Sequence, residues 1–168
     1  MHKSRLVDDE EVRKMVVGKY YRGMEYFEEI KAIRKQVFGE ELGYSDDLNF
    51  DGLDEEALHA VAYLDNDGRK PAAVGRLILT EEGYKIGRIA VAKEARKSGY
   101  GNFIVRMLVD KAFQAGAEQV IVGARPEAVL FYKKIGFVST SQGYKEAGTS
   151  HTIMVLRKEN LCKNCQGN

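Results

Sequence analysis

The sequence has almost no net charge, no long apolar run and little cysteine. Its 26 basic and 25 acidic side chains leave a formal charge of +1, so electrostatics gives no argument for nucleic acid as a partner. No apolar stretch is long enough to cross a bilayer, and residues 1–5 lead into charged positions rather than the apolar core of a signal peptide. We therefore expect a cytoplasmic protein that binds neither nucleic acid nor a membrane.

The two cysteines, Cys162 and Cys165, form a Cys-x-x-Cys pair at the end of the chain. A zinc site needs two further ligands, and the sequence has no second pair to supply them. A redox motif needs a strand followed by a helix N-terminus, which this polar tail does not offer. We predict a disordered tail over residues 161–168 and no metal site; a zinc bridge between two chains is the alternative.

The 168 residues suit one domain, which we place at residues 1–160. Apolar periodicity and turn residues predict strands at 12–20, 57–64, 72–80, 84–91, 119–122, 137–140 and 152–156, and helices at 24–38, at 102–115 and from Pro126. The strand–helix–strand unit over 84–122 requires a parallel pair, because a hairpin cannot make that connection. The sequence thus predicts an α/β domain whose mixed sheet of about six to seven strands carries helices on both faces.

The hexapeptide Arg-Lys-Ser-Gly-Tyr-Gly, residues 96–101, lies between an apolar run and a helical pattern. Glycines there let backbone amides face a ligand, and the first-turn amides of a helix attract phosphate. Arg96 and Lys97 add positive charge, although a tight turn with solvated side chains is the alternative. The segment lacks the Gly-Lys-Ser/Thr of a P-loop, and Ile104 stands where a dinucleotide fingerprint has its third glycine. ATP and NAD are therefore poor candidates.

Two motifs in this order resemble those of the GNAT acyltransferases. The hexapeptide is similar to their Arg/Gln-x-x-Gly-x-Gly/Ala segment, and residues 128–137 are similar to their Ala-x-x-Phe-Tyr-x-x-x-Gly-Phe segment. The resemblance covers roughly residues 57–156, and more loosely extends from Arg13. The acidic stretch from Tyr44 to His59 resembles the subgroup whose acceptor loop carries Asp-Gly-x-Asp followed by histidine.

The resemblance implies the GNAT fold, with a splayed parallel strand pair that admits the pantetheine arm of acetyl-CoA. Arg96 and Lys97 would then face the pyrophosphate together with backbone amides of Ser98, Gly99, Tyr100, Gly101 and Asn102. Backbone groups of Ile89, Ala90 and Val91 would line the pantetheine, with one N–H donating to the thioester oxygen. An ordinary core strand is the alternative for those three residues.

The resemblance implies Tyr132 as the general acid toward the departing CoA thiolate; a packed tyrosine is the alternative. Residues 83–93, where many relatives carry a strand carboxylate, contain no Asp or Glu. Candidate proton acceptors therefore lie in the acidic stretch: Asp46, Asp47, Asp51, Asp54, Glu55 and His59. His59 is the catalytic candidate of this set, with a structural role in an apolar strand as its alternative. Residues 47–52 also copy half of a calcium loop, but Leu58 stands where its glutamate belongs.

We expect an N-acetyltransferase that transfers the acetyl group of acetyl-CoA directly to a primary amine of a small molecule. Direct attack is expected because neither cysteine lies in the motif region. An acyl-CoA sensor without turnover and a protein N-acetyltransferase are the alternatives. The acidic stretch is expected to attract a cationic amine, with a solvated loop as its alternative. A homodimer is left open.

Overall fold

The computed structural model describes residues 16–64 and 67–164. Seven strands form one sheet in the spatial order β1-β2-β3-β4-β5-β7-β6. The strands are β1 Val17–Arg22, β2 Leu58–Tyr63, β3 Pro71–Thr80, β4 Gly83–Val91, β5 Gln119–Ala124, β6 Val138–Glu146 and β7 Thr149–Arg157. Neighbouring strands are antiparallel except for β4 and β5, which are parallel. The predicted mixed sheet with a parallel pair is confirmed.

Helices connect these strands and cover both faces of the sheet. They are α1 Phe27–Arg34, which continues into a π-helical segment Lys35–Glu41, α2 Asp46–Asn49, α3 Tyr100–Gln114, α4 Val129–Ile135 and α5 Lys158–Asn164. Single 3-10 turns occupy Asp54–Glu56, Lys93–Ala95 and Pro126–Ala128. Within the described ranges no helix is both long and apolar enough to cross a lipid bilayer.

Helix α3 packs on one face of the sheet and α1 on the other. Ile104 and Leu108 of α3 are buried against the strands, as are Ile30 and Ile33 of α1 on the opposite face. Each such side chain stabilises the fold by roughly 1.5–3 kcal/mol through removal from water. The helical spacing of these apolar positions is the pattern from which both helices are predicted.

Several predicted element ends differ from the structure. Strand β1 runs to Arg22 rather than residue 20, and residues 12–15 of the predicted strand lie outside the described residues. The hairpin β6–β7 is much longer than predicted, because the polar stretch 139–143 has no apolar alternation to mark it as strand. Helix α5 continues to Asn164, within the segment 161–168 for which the sequence predicts disorder; residues 165–168 lie outside the described residues.

The parallel strands β4 and β5 pair over a short stretch and then separate. Their pairing joins residues 84–86 to residues 120–122, after which β5 remains paired with β7. The register of β4 against β3 also shifts near Arg88, whose φ is +50°. A bulge of this kind bends a strand and is frequent beside active sites. The result is a wedge-shaped gap between β4 and β5.

Candidate active site

The hexapeptide forms a loop that ends at the N-terminus of α3. Gly99 precedes the helix with φ +83°, a backbone conformation that favours glycine, and Lys97 also has a positive φ of +63°. No side chain of the described residues caps the N-terminus of α3, so its amides keep their capacity to bind an anion. They border a cavity of about 420 Å³, here called the loop cavity, which is lined by Val91, Ala95, Arg96, Lys97, Gly99, Tyr100, Gly101, Asn102 and Phe131.

Arg96 of this loop makes an ion pair and a hydrogen bond with other residues of the protein. Its Nη2 lies 2.6 Å from Oε2 of Glu41, at the end of the π-helical segment, and its Nε donates to the carbonyl of Val91. An anion in the loop cavity would therefore share Arg96 with Glu41. Lys97 has no ion pair within the described part of the chain and remains available to a phosphate.

A second cavity, of about 260 Å³, occupies the gap between β4 and β5. We call it the gap cavity; its walls come from β3, β4, β5, the β6–β7 hairpin and the segments 38–53 and 125–132. Tyr144 of β6 reaches across to β5, where Gly123 leaves room for its ring. A Cβ added at Gly123 would overlap the Tyr144 hydroxyl, so a larger residue here would displace the Tyr144 ring.

Tyr132 of α4 lies in the wall of the gap cavity with 8% of its surface exposed. Its ring packs edge-on against Phe131 and Phe137, with centroid separations of 5.0 Å and 5.4 Å. Burial raises the pKa of the Tyr132 hydroxyl, and nearby Tyr144 raises it further. The hydroxyl therefore keeps its proton near neutral pH and can act as a hydrogen-bond donor or an acid.

The predicted proton acceptors Asp51 and Asp54 belong to a cluster of ion pairs with three arginines. Asp54 Oδ1 lies 2.7 Å from Arg34 Nη1 and 3.0 Å from Arg76 Nη1, while Asp51 Oδ2 lies 2.5 Å from Arg76 Nη2 and 3.3 Å from Arg88 Nη2. Burial alone would raise the pKa of each carboxyl, but the arginines outweigh it and hold both pKa values below the usual range. Such carboxylates are poor acceptors for the proton of an ammonium group.

The other predicted acceptors lie away from the gap cavity. Asp46, Asp47 and Glu55 line a separate groove that also contains Lys31 and Lys35. The acidic stretch therefore presents little negative charge to an acceptor in the gap cavity.

His59 also lies outside the gap cavity. Only 1% of its surface is exposed, and its Nε2 donates to the backbone carbonyl of Asp54. Burial lowers its pKa despite the opposing influence of Asp54. This placement suits a histidine that holds the 3-10 turn Asp54–Glu56 against β2.

Sequence reasoning missed a second histidine, His151 of β7, which lines the gap cavity and is 6% exposed. Its Nδ1 lies 3.0 Å from the carbonyl oxygen of Thr149, and its ring stacks on Tyr144 at 5.0 Å. Because a carbonyl oxygen only accepts, Nδ1 carries the proton of the neutral ring and Nε2 keeps a lone pair. No motif marks this residue in the sequence, since it lies on the long hairpin that the apolar pattern did not predict.

Comparison with known proteins assigns the class, the acyltransferases that use acyl-CoA. The profile of the family described as "Acetyltransferase (GNAT) domain" matches residues 28–158. The chain belongs to the GNAT acetyltransferase family. This confirms the resemblance drawn from the two motifs, and with it the assignment as an acyltransferase.

Individual proteins are similar to this chain in sequence or in fold. The chain is 35% identical over 124 residues to the "Uncharacterized N-acetyltransferase YjcF" of Bacillus subtilis, covering 73% of this chain and 86% of that protein. A solved structure of a Lactobacillus plantarum protein assigned to the N-acetyltransferases is 27% identical, with a TM-score of 0.76 over 84% of this chain and 97% of that one. N-acetylglutamate synthase of Neisseria gonorrhoeae, solved with coenzyme A and N-acetylglutamate, has a TM-score of 0.60 at 18% identity, covering 84% of this chain and 35% of that one.

Proposed function

We propose that this chain transfers the acetyl group of acetyl-CoA directly to a primary amine of a small molecule. The observation that carries the proposal is the adjacency of the two cavities along β4 and α4. Val91 and Phe131 line the loop cavity, whereas Ile89 and Tyr132 line the gap cavity. A ligand with a pyrophosphate at one end and a thioester at the other therefore fits along the open edge of β4. Membership of the GNAT family and the coenzyme A bound by the Neisseria enzyme support this donor.

Different residues bind the donor and move the protons of the reaction. Backbone amides of residues 98–102 hold the pyrophosphate with Arg96 and Lys97, and an amide within 89–91 donates to the thioester oxygen. The amine nitrogen attacks the carbonyl carbon, the C–S bond breaks, and the hydroxyl of Tyr132 protonates the departing thiolate. The proton lost by the amine passes to Nε2 of His151.

A small acceptor suits the gap cavity better than a polypeptide. The cavity has a volume of about 260 Å³ and is walled by the β6–β7 hairpin and by residues from Phe38 to Leu53. None of the described residues lining either cavity is a cysteine, which favours direct attack over an acyl-enzyme.

Acetyl-CoA is expected to stabilise the protein against heat. At a hundred times its Kd, a ligand that binds only the folded state adds about 2.7 kcal/mol, which corresponds to a rise in Tm of several degrees for a domain of this size. Differential scanning fluorimetry with acetyl-CoA measures the shift, and pantetheine, the part of CoA that carries no phosphate, serves as the control. Folded protein with an unchanged Tm would refute acetyl-CoA binding; a shift without thiol release on any amine would favour the sensor.

We expect the two histidines to differ in their effect on catalysis. His151→Gln removes the proposed proton acceptor, so kcat/KM near neutral pH should fall more than tenfold. His59→Gln removes the hydrogen bond to the carbonyl of Asp54, so it should lower the Tm and leave kcat/KM of the folded protein nearly unchanged. Free-thiol release and scanning fluorimetry on both variants measure the two effects. A loss of kcat/KM in His59→Gln alone, with an unchanged Tm, would make His59 the acceptor of the proton.

A further inference from the structure

The charges around the gap cavity do not balance. The three arginines of the ion-pair cluster face three carboxylates, since Glu146 lies 3.8 Å from Arg88 in addition to the pairs made by Asp51 and Asp54. The cavity wall also contains Lys85 and Arg125. The charged side chains that line the cavity itself are four cations, Arg76, Lys85, Arg88 and Arg125, and two carboxylates, Asp51 and Glu146. This excess of cations is the opposite of what the acidic stretch predicts for the acceptor.

Of Lys85 and Arg125, Arg125 is the less satisfied. It follows the last residue of β5, at the mouth of the gap between β4 and β5. Its Nε lies 2.8 Å from the exposed carboxylate of Glu127. Its Nη1 is buried and forms no hydrogen bond with any residue that the structure describes. A buried guanidinium N–H without an acceptor is costly, and such groups in native proteins are normally satisfied by a ligand or water.

The position of Arg125 also suits contact with the acceptor. The residue lies on the same cavity wall as Ala128 and Tyr132. Ala128 follows Arg125 by one helical turn and Tyr132 by two. A carboxylate is a good partner for a guanidinium fork, because its two oxygens accept parallel N–H bonds. The cavity volume of about 260 Å³ suits an acceptor of amino-acid size.

We propose that the acceptor amine carries a carboxylate, and that Arg125 binds this group while the amine faces the thioester. The proposal rests on the acyltransferase function given above and adds the substrate class. Carboxylate recognition is then a specificity of the gap cavity, separate from the binding of the donor in the loop cavity. Arg125 positions the acceptor and takes no part in moving protons.

The proposal is tested with acceptors that share a side chain and an amine but differ in the carboxylate. Phenylalanine is compared with its amide, phenylalaninamide, and with its decarboxylated amine, phenethylamine. Leucine and glycine are compared with their amides and decarboxylated amines in the same way. We expect kcat/KM for the amino acid to exceed that of its amide and its decarboxylated amine by on the order of tenfold or more, the effect of one charge-assisted hydrogen bond. The preference should hold although the amide's amine is the easier to deprotonate. Arg125→Gln should remove the preference, and Arg125→Lys should keep part of it, with the KM for acetyl-CoA unchanged in both.

Binding gives a second measurement that does not depend on finding a fast substrate. With CoA present, N-acetylphenylalanine should raise the Tm of the wild type more than N-acetylphenethylamine does, and Arg125→Gln should abolish the difference. The proposal would be overturned if carboxylate and neutral ligands raised the Tm of the wild type equally. It would also be overturned if Arg125→Gln kept the preference for the carboxylate ligand. A rise in the KM for acetyl-CoA in Arg125→Gln with every acceptor would also overturn it. Failure of acetyl-CoA itself to bind refutes the acyltransferase function instead.

Discussion

Gly99→Asp is expected to weaken acetyl-CoA binding at least a hundredfold and to remove its thermal shift. Gly99 immediately precedes α3 and lines the loop cavity, so the new carboxylate would lie beside the amides proposed to hold the pyrophosphate. Like charges in contact repel, and the aspartate would itself occupy the positive end of the helix dipole. Isothermal titration with acetyl-CoA gives the Kd, and scanning fluorimetry gives the Tm of the free variant.

Gly99→Asn is the matched control for this substitution. It has the same shape without the charge, and asparagine tolerates the positive φ of +83° better than most residues. A Cβ at position 99 meets no other atom within 4 Å, so neither variant is expected to clash. The asparagine variant should retain most of the binding. If Gly99→Asp binds acetyl-CoA as the wild type does, the pyrophosphate does not lie at this helix end.

Tyr132→Phe should lower kcat by on the order of 100-fold or more, while the KM for acetyl-CoA changes little. The phenolic proton is proposed to reach the CoA thiolate as the C–S bond breaks, and positioned general acids contribute roughly 10²–10⁴ to a rate. Because burial raises the pKa of Tyr132, the hydroxyl stays protonated over the working pH range, so the loss should be similar between neutral and mildly alkaline pH. Steady-state thiol release with varied acetyl-CoA separates kcat from KM.

Tyr20→Phe provides the control for loss of a phenolic hydroxyl. Tyr20 lies on β1 and lines neither cavity; its hydroxyl donates to the carbonyl of Met107 at 2.9 Å. This variant should keep the wild-type kcat. An unchanged kcat in Tyr132→Phe would show that the hydroxyl is not the acid. If both variants lower the Tm but only Tyr132→Phe lowers kcat, the fall in kcat is a loss of chemistry and not of stability.

The proposed donor side of the site could be predicted from the sequence because it depends on local signals. The glycines and basic residues of the hexapeptide lie within six positions of one another, and the Phe-Tyr pair belongs to a second short motif. A loop before a helix creates its anion site through the backbone, so neighbouring residues suffice to predict it. The structure places Gly99, Gly101 and Tyr132 beside cavities without any long-range pairing that the sequence would have to reveal.

The acceptor side has no such local signal. His151 and Arg125 are about 26 positions apart, and each reaches the gap cavity only because β5 and β7 are neighbours in the sheet. Because β6 contains a polar stretch without apolar alternation, the sequence does not predict the full hairpin that carries Tyr144 and His151. In the same way, Asp51 is an acidic residue in the sequence, and only the folded chain pairs it with Arg76, 25 positions further along.

The sequence by itself determined the order of strands and helices along the chain, the parallel pair and the family, because periodicity and short motifs act over a few residues. It also marked the loop that we propose for the cofactor. The tertiary structure alone decided which charges neutralise each other and which remain at the gap cavity. Pairing between distant strands sets those distances, and burial then sets the pKa values of the groups that meet there. Asp51 and Asp54 of the acidic stretch are thereby neutralised by arginines, and the wall of the gap cavity keeps Arg125, whose Nη1 has no hydrogen-bond partner among the described residues.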